Sequence, residues 1–340
     1  MQSTPIPENK KVACFGELLL RLSPDTTGHC WEQQLLPAFI GGAELNVASA
    51  LGAWGIPVKF ITALPENELR TSIEKIVKDR NVELEARYIN NSRLGLYYLP
   101  QGADLKSAGV IYDRAHSAFA ELRTGQMNWR EILADVQWLH LSAINPGLNQ
   151  TLVDVCEEAL QVADSMGIRI SIDLNYRPKL WQYGMNPVAL MPGLLRYAHY
   201  ITGNIWAAEK LAGIPAGCET SAGQSDDELL VLAHKSAINL KAIFPKVEEV
   251  VYTFRLNDRY FSFGAGKETV AKSRVVPIET VVDRAGSGDC FMAGWIFGKL
   301  NGYKLESQLN LGAEAAVQKM KEPGDATFQN IETLKQKAFQ

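Results

Sequence analysis

Short, uninterrupted apolar runs punctuate the chain at Val12–Phe15, Val58–Ala63, Trp138–Ser142, Ile168–Leu174, Tyr200–Gly203 and Val250–Phe254. Runs of this length predict strands buried on both faces. Longer stretches with helical spacing fall between them, over Asn149–Met166, Asp226–Leu240, Ser287–Leu300 and Leu305–Lys321. This alternation predicts an α/β fold, a mostly parallel central sheet with helices on both faces. Ligands of such sheets lie outside the carboxyl ends of the strands. Two regions break the rhythm: Arg93–Pro100 and Ala108–Arg114 alternate like half-exposed strands, joined by a turn over Gln101–Ser107. With Leu18–Leu22 and Leu35–Ile40 they predict a small accessory sheet. There is no internal repeat, low-complexity stretch or linker, so a single domain over residues 1–340 is expected, its accessory sheet drawn from residues 17–40 and 90–116.

Composition narrows the function classes. The chain has 46% hydrophobic and 21% charged residues, as soluble enzymes do, with a net charge of −4. No extended Lys/Arg run occurs, which argues against nucleic-acid or anionic-membrane partners. Met1–Lys11 is polar with two prolines, unlike a signal or transit peptide, and no apolar stretch reaches membrane-spanning length. The five cysteines are dispersed without a Cys-x-x-Cys, as expected of reduced thiols in a cytoplasmic protein. The five histidines show no zinc spacing; His116 is the one inside a candidate motif.

The strongest chemical signal is Asp283-Arg284-Ala285-Gly286-Ser287-Gly288-Asp289, which runs directly into the apolar stretch 290–297. Glycines there let the backbone turn sharply before a buried helix, whose first N–H groups then form an anion site suited to phosphate. Asp289 falls in the first helical turn, where the dipole favours its charged form. A phosphate cradle beside a carboxylate is what phosphoryl transfer to a hydroxyl requires. The plain alternative is a capped, glycine-rich helix start. A second motif, Gly41-Gly42-Ala43-Glu44-Leu45-Asn46, opens a helix expected to end near Gly55. Asn46 shares a helical side with Gly42 and is placed to hydrogen-bond a ligand.

Further candidates gather elsewhere. Arg93, Gly95, Tyr97 and Leu99 share one face of the first hairpin strand; Val110, Tyr112 and Arg114 share one of the second. Arg177 follows the strand end in Asp173-Leu174-Asn175-Tyr176-Arg177. Tyrosines stack on sugars and arginine forks read carboxylates, although the aromatic residues equally suit packing and Arg114 an ion pair with adjacent Asp113.

The two glycine motifs, in this order near opposite ends of the chain, resemble the ribokinase-like (PfkB) family of carbohydrate kinases, over Val12 to Thr327. The resemblance implies an ATP- and Mg2+-dependent kinase whose first motif binds sugar and whose second supplies the anion hole and catalytic Asp289. The accessory sheet becomes a lid over the sugar, often also a homodimer contact. The motifs around Arg93–Tyr97, Val110–Ser117 and Asp173–Arg177 resemble the subgroup that phosphorylates 2-keto-3-deoxygluconate. By that resemblance Gly41, Gly42, Asn46, Tyr97, Tyr112, Arg114 and Arg177 bind substrate, and Gly286 and Gly288 serve catalysis. Asn204, Arg255, Arg284, Ala285 and Ser287 face the nucleotide. No residue is assigned as a metal ligand, because Mg2+ in this family is held largely by phosphates and water. A neutral ketohexose kinase and a non-catalytic sugar-acid-binding relative are the alternatives.

The nucleotide side departs from the family pattern. Ala207 stands where an acidic residue is expected three positions after Asn204, with Glu209 two residues further on. The segment after Phe254 lacks a glycine and offers Arg255; Arg70 stands where a glycine is usual; Pro323-Gly324-Asp325 resembles the late turn that closes the adenine side.

Overall fold

A computed structural model describes residues 10–25, 29–100 and 109–340. The turn expected over Gln101–Ser107, and most of the polar N-terminal stretch, lie outside these residues.

Ten strands form the central sheet, nine of them in the order Val270–Lys272, Arg259–Ala265, Glu249–Arg255, Tyr200–Gly203, Arg169–Asp173, Val136–Ser142, Lys11–Phe15, Val58–Pro65, Glu83–Ile89. The tenth, Val276–Pro277, pairs with Arg259–Ala265. From Glu249–Arg255 to Glu83–Ile89 every pairing is parallel, and antiparallel pairing is confined to the other edge. The strands expected from apolar runs are the buried ones; all eight residues of Val58–Pro65 are buried. Glu83–Ile89, at the sheet edge, carries Glu83, Glu85 and Arg87 and is only partly buried, so no continuous apolar run announces it. Two large apolar clusters account for the core.

The expected helices form within a few residues of their predicted bounds, at Ala43–Ala53, Gln150–Ser165, Asp226–Ile243, Ser287–Leu300 and Leu305–Lys319. Asn149 and Ser225 accept the first free N–H groups of their helices, Ser225 in a reciprocal box with Glu228. Helix Ser287–Leu300 is keyed to the sheet by aromatic packing. Trp295 meets Tyr200 and Trp138 edge-on, at centroid distances of 5.4 and 5.7 Å, while Trp138 and Tyr200 stack at 4.7 Å. Such ring pairs add about 0.5–1.5 kcal/mol each beyond their burial. Trp295 Nε1 also donates to Glu249. The N-terminus of this helix is thereby fixed against the ends of the parallel strands.

The accessory sheet is present, in the order Ala38–Gly41, Leu19–Leu22, Gly95–Tyr98, Ile111–Asp113, with a parallel central pair between two antiparallel ones. Its inner face forms a cluster of Leu19, Tyr97, Leu99 and Val110 with Ala285 of the anion motif. Among the described residues, no helix is long and apolar enough to cross a membrane.

Candidate active site

Gly286 is the N-cap of helix Ser287–Leu300, with a left-handed φ of 76°. A Cβ built there would lie 1.9 Å from the backbone oxygen of Asp325, so a side chain is excluded twice over. The Gly286 carbonyl accepts from Cys290 N at 2.8 Å, which starts the helix. The amides of Gly288 and Asp289, as the second and third residues of the helix, have no intrahelical acceptor, and both residues line the cleft. Gly288 has nothing within 4 Å of its absent side chain.

Gly42 caps the other motif helix with φ 130°, and a Cβ would strike the Glu17 carbonyl at 2.1 Å. One turn on, Asn46 is 5% exposed and donates from Nδ2 to Asp289 Oδ2 at 2.7 Å, while its Oδ1 is buried with no partner. An orphaned buried acceptor beside a carboxylate is a ready partner for a substrate hydroxyl. Burial raises the Asp289 carboxyl to about 7; the Asn46 hydrogen bond and nearby Arg177 oppose the rise, while Asp173 and Glu44 add to it. The helix N-terminus was expected to favour the charge, but desolvation at the base of the cleft outweighs it. Asp289 thus titrates in the range a general base needs.

Two cavities meet at this carboxylate. The inner one, about 50 Å³, is lined by Gly42, Asn46, Tyr97, Arg114 and Asp325 among others. The outer one, about 620 Å³, is lined by Asn204, Ala207, Lys210, Arg255, Arg284, Ser287 and Gly288 among others. Tyr112, Asn175, Arg177, Gly286 and Asp289 border both. Nearly every residue predicted for the site therefore converges here, from both glycine motifs, the accessory sheet and the parallel-strand ends. Gly41 and Ala285 line neither cavity. A Cβ on Gly41 would lie 2.6 Å from the Asp325 carboxylate, so its bareness serves packing. Ala285 is wholly buried beneath the accessory sheet, and its N–H is held by Asp283 Oδ1 at 3.0 Å.

Arg114 does not pair with Asp113. Adjacent strand residues face opposite ways; Asp113 binds Arg93 outside, while Arg114 turns inward to Glu17, with Nε and Nη2 each 2.6 Å from Oε2. Ser117 Oγ donates to the other Glu17 oxygen at 2.5 Å. Arg177 forms no ion pair among the described residues, and its charge acts at longer range on Asp173 and Asp289. Asp173, at the end of its strand, is raised to about 6 by burial, against Arg177 and a Thr202 hydrogen bond. Asp173, Asn175 and Lys210 line the cleft without having been singled out; the first two stood in the strand-end motif, which was the available signal. His116 is exposed and pairs with Glu121, away from the cleft.

The sequence pattern of the pfkB family carbohydrate kinases matches residues 9–332. The chain belongs to this family. It is 28% identical over 93% of its length to 2-dehydro-3-deoxygalactonokinase of Haloferax volcanii, covering 92% of that protein. It is 26% identical over 92% of its length to 2-dehydro-3-deoxygluconokinase of Bacillus subtilis, covering 90% of it. Its fold superposes on 2-dehydro-3-deoxygluconokinase of Thermotoga maritima with a TM-score of 0.85 and 29% identity, covering 97% of this chain and 100% of that one. This is a ribokinase-like fold, and the chain is an ATP-dependent carbohydrate kinase.

Three departures of this pfkB kinase from the expected pattern, at Ala207, Arg70 and Arg255, have structural readings, as does the late turn at Asp325. Glu209, weighed as a substitute for an acid at Ala207, accepts the Ala216 N–H at 2.9 Å and is not among the residues lining the outer cavity. Arg70 lies on the surface between Glu66 and Glu74 and lines neither cavity. In the late turn Pro323-Gly324-Asp325, Asp325 lies under the accessory sheet, where Tyr97 Oη donates to it at 2.5 Å. Arg255 Nη1 donates to Ser287 Oγ at 3.2 Å, across the mouth of the anion loop. Among the described residues no group of three or more His, Cys, Asp or Glu is placed to hold a metal ion.

Proposed function

We propose that this kinase transfers the γ-phosphoryl group of ATP to a hydroxyl of a 2-keto-3-deoxy sugar acid, 2-keto-3-deoxygluconate or its galacto epimer. The observation that carries this reading is Arg177, an arginine without an ion-pair partner among the described residues, bordering both cavities beside Asp289. A neutral hexose gives that charge nothing to neutralise, whereas a sugar acid offers a carboxylate to its fork. The names of the relatives from Haloferax and Bacillus support the same substrate class. Arg114, already committed to Glu17, shapes the pocket more than it supplies charge.

In this reading Asp289, held by Asn46, orients the acceptor hydroxyl and takes its proton as the phosphoryl group moves. The Gly286–Asp289 backbone neutralises the charge on the moving group. Asn204, Lys210, Arg255 and Arg284 flank the phosphates. Asp173 and Asp289 are the carboxylates facing the outer cavity, so a bound Mg2+, which supplies charge neutralisation on the phosphates, would be held mainly by phosphate oxygens and water. The accessory sheet acts as a lid and as the contact of a homodimer, within a single catalytic domain of a cytoplasmic enzyme.

A coupled ADP-release assay over 2-keto-3-deoxygluconate, 2-keto-3-deoxygalactonate and fructose tests the reading. One of the acids should exceed fructose in kcat/KM by about a hundredfold, within the range expected when a half-buried arginine gains a carboxylate partner. Preference for fructose would replace the sugar-acid assignment.

A further inference from the structure

Arg21, on the second strand of the accessory sheet, is 2% exposed and reaches out of that sheet into the main body. Its Nη1 and Nη2 grip Asp283 of the anion loop at 3.1 and 2.5 Å. Its Nε lies 2.9 Å from Oδ2 of buried Asp325, and its guanidinium covers the Phe39 ring at 4.5 Å. Each anchor is itself tied to one half of the cleft. Asp283 accepts the Ala285 N–H through Oδ1 and the Gly324 N–H through Oδ2, both at 3.0 Å, which sets the backbone immediately before Gly286. Asp325 takes the hydroxyl of Tyr97, the cross-strand neighbour of Arg21, and packs its carboxylate against Gly41 and its backbone oxygen against Gly286. Lys319, wholly buried behind the same loop, adds a second cation to the two carboxylates.

We propose that Arg21 is a positioning residue that couples the two substrates: it transmits the seating of the accessory sheet over the sugar to the shape of the phosphate-binding loop. The physical case is one of shared restraints. Asp283 has both oxygens engaged by loop amides and by Arg21 at once, so losing the guanidinium removes the cation that grips this mostly buried carboxylate directly and frees it to turn. Ala285 then loses its acceptor, and the amides that follow lose their alignment. Arg21 and Tyr97 converge on Asp325, so a sugar that orders Tyr97 orders Arg21 as well, and the nucleotide meets a loop already formed. Such coupling is reciprocal: nucleotide bound on the loop must favour the seated sheet.

This inference rests on the kinase reading of the cleft but not on which sugar it takes, and two measurements separate the two. In the first, calorimetry gives the affinity of AMP-PNP with and without 2-keto-3-deoxygluconate, for wild type, Arg21→Gln and Arg21→Lys. Sugar should tighten nucleotide binding in wild type by a factor in the range of about 5–150, and in Arg21→Gln the factor should fall toward one while the sugar's own affinity stays within about threefold. Correspondingly, kcat should drop with little change in sugar KM, and Arg21→Lys should recover little because it lacks the fork. The second needs no sugar: amide hydrogen exchange of the apo protein should quicken in Arg21→Gln at residues 285–289 and 324, and not in the strand Arg169–Asp173. If wild type binds no sugar acid, the substrate reading fails while the exchange experiment still decides the role of Arg21. Unchanged exchange at the loop, or coupling retained in Arg21→Gln, overturns the inference. Should that variant unfold, Asp283→Asn keeps an acceptor for Ala285 and removes the ion pair, and wild-type coupling there overturns it equally.

Discussion

Around the inner cavity most ionic groups already have protein partners: Glu17 holds Arg114 and Ser117, Asn46 holds Asp289, and Asp325 holds Tyr97. The outer cavity is more than ten times larger, and its anion-binding elements are a bare helix N-terminus and basic residues along the walls. The difference teaches where sequence change is tolerated. In the inner half each side chain positions another, so a substitution propagates. In the outer half, on the proposed mechanism, the backbone supplies the main charge stabilisation, and walls such as Ala207 can vary around it.

The sharpest test of this contrast is Asp289→Asn, which keeps shape and removes the proton acceptor. It should lower kcat by about 10²–10⁴-fold with sugar KM little changed. The wild-type pH profile sharpens it further. The Asp289 carboxyl is raised to about 7, so kcat/KM should fall as pH drops through 7, and this limb should vanish in the variant. Stability moves the other way. A folded pKa above the unfolded one means that ionisation opposes folding, so the contribution of Asp289 is present at low pH and lost as pH rises through 7. Asp289→Asn should therefore melt higher than wild type at pH 8, measured by calorimetry; a lower melting point there would show that burial of the carboxylate is not a cost.

Next in size is the arginine pair. Arg177→Ala should lose about 2–5 kcal/mol of kcat/KM for the sugar acid and little for fructose. Arg114→Ala should weaken both sugars alike and also destabilise the protein, because Glu17 is left buried without its cation. Equal effects of the two variants on acid and neutral sugar would erase the distinction drawn between them. The smallest effect belongs to the outer half. Arg255→Ala should raise KM for ATP by about tenfold, the scale of one charge-assisted hydrogen bond, and leave kcat nearly unchanged. A kcat loss as large as that of Asp289→Asn would mean that side chains, not amides, carry the phosphoryl group.

Much of this was legible in the sequence because parallel strands buried on both faces must be continuously apolar, and because a helix N-terminus that binds anions needs glycine at its turn. Both glycine motifs were visible on those grounds, the accessory sheet through its half-exposed alternation, and Arg177 through its place after a strand end. The Arg114 partner was not. Proximity in sequence suggested Asp113, whereas strand alternation sends the two side chains to opposite faces and long-range packing supplies Glu17. The ionisation of Asp289 was misjudged for a similar reason: a helix dipole is a local property readable from position, and desolvation is set by residues distant in sequence. The role of Asp325 also stayed hidden, since nothing about Pro323-Gly324-Asp325 indicates that it packs under Tyr97 and Arg21.

Gly288 carries a consequence for the history and engineering of this chain. It occupies a helical position without a left-handed φ, and a methyl group there would meet no protein atom within 4 Å. Alanine at such a site commonly stabilises a fold by about 0.4–1 kcal/mol. The packing at this position thus gives no reason for glycine, and in the proposed mechanism its bareness leaves space for an incoming phosphate. Selection for heat resistance without selection for turnover would drift toward filling that space, yielding sturdier molecules that have ceased to be kinases.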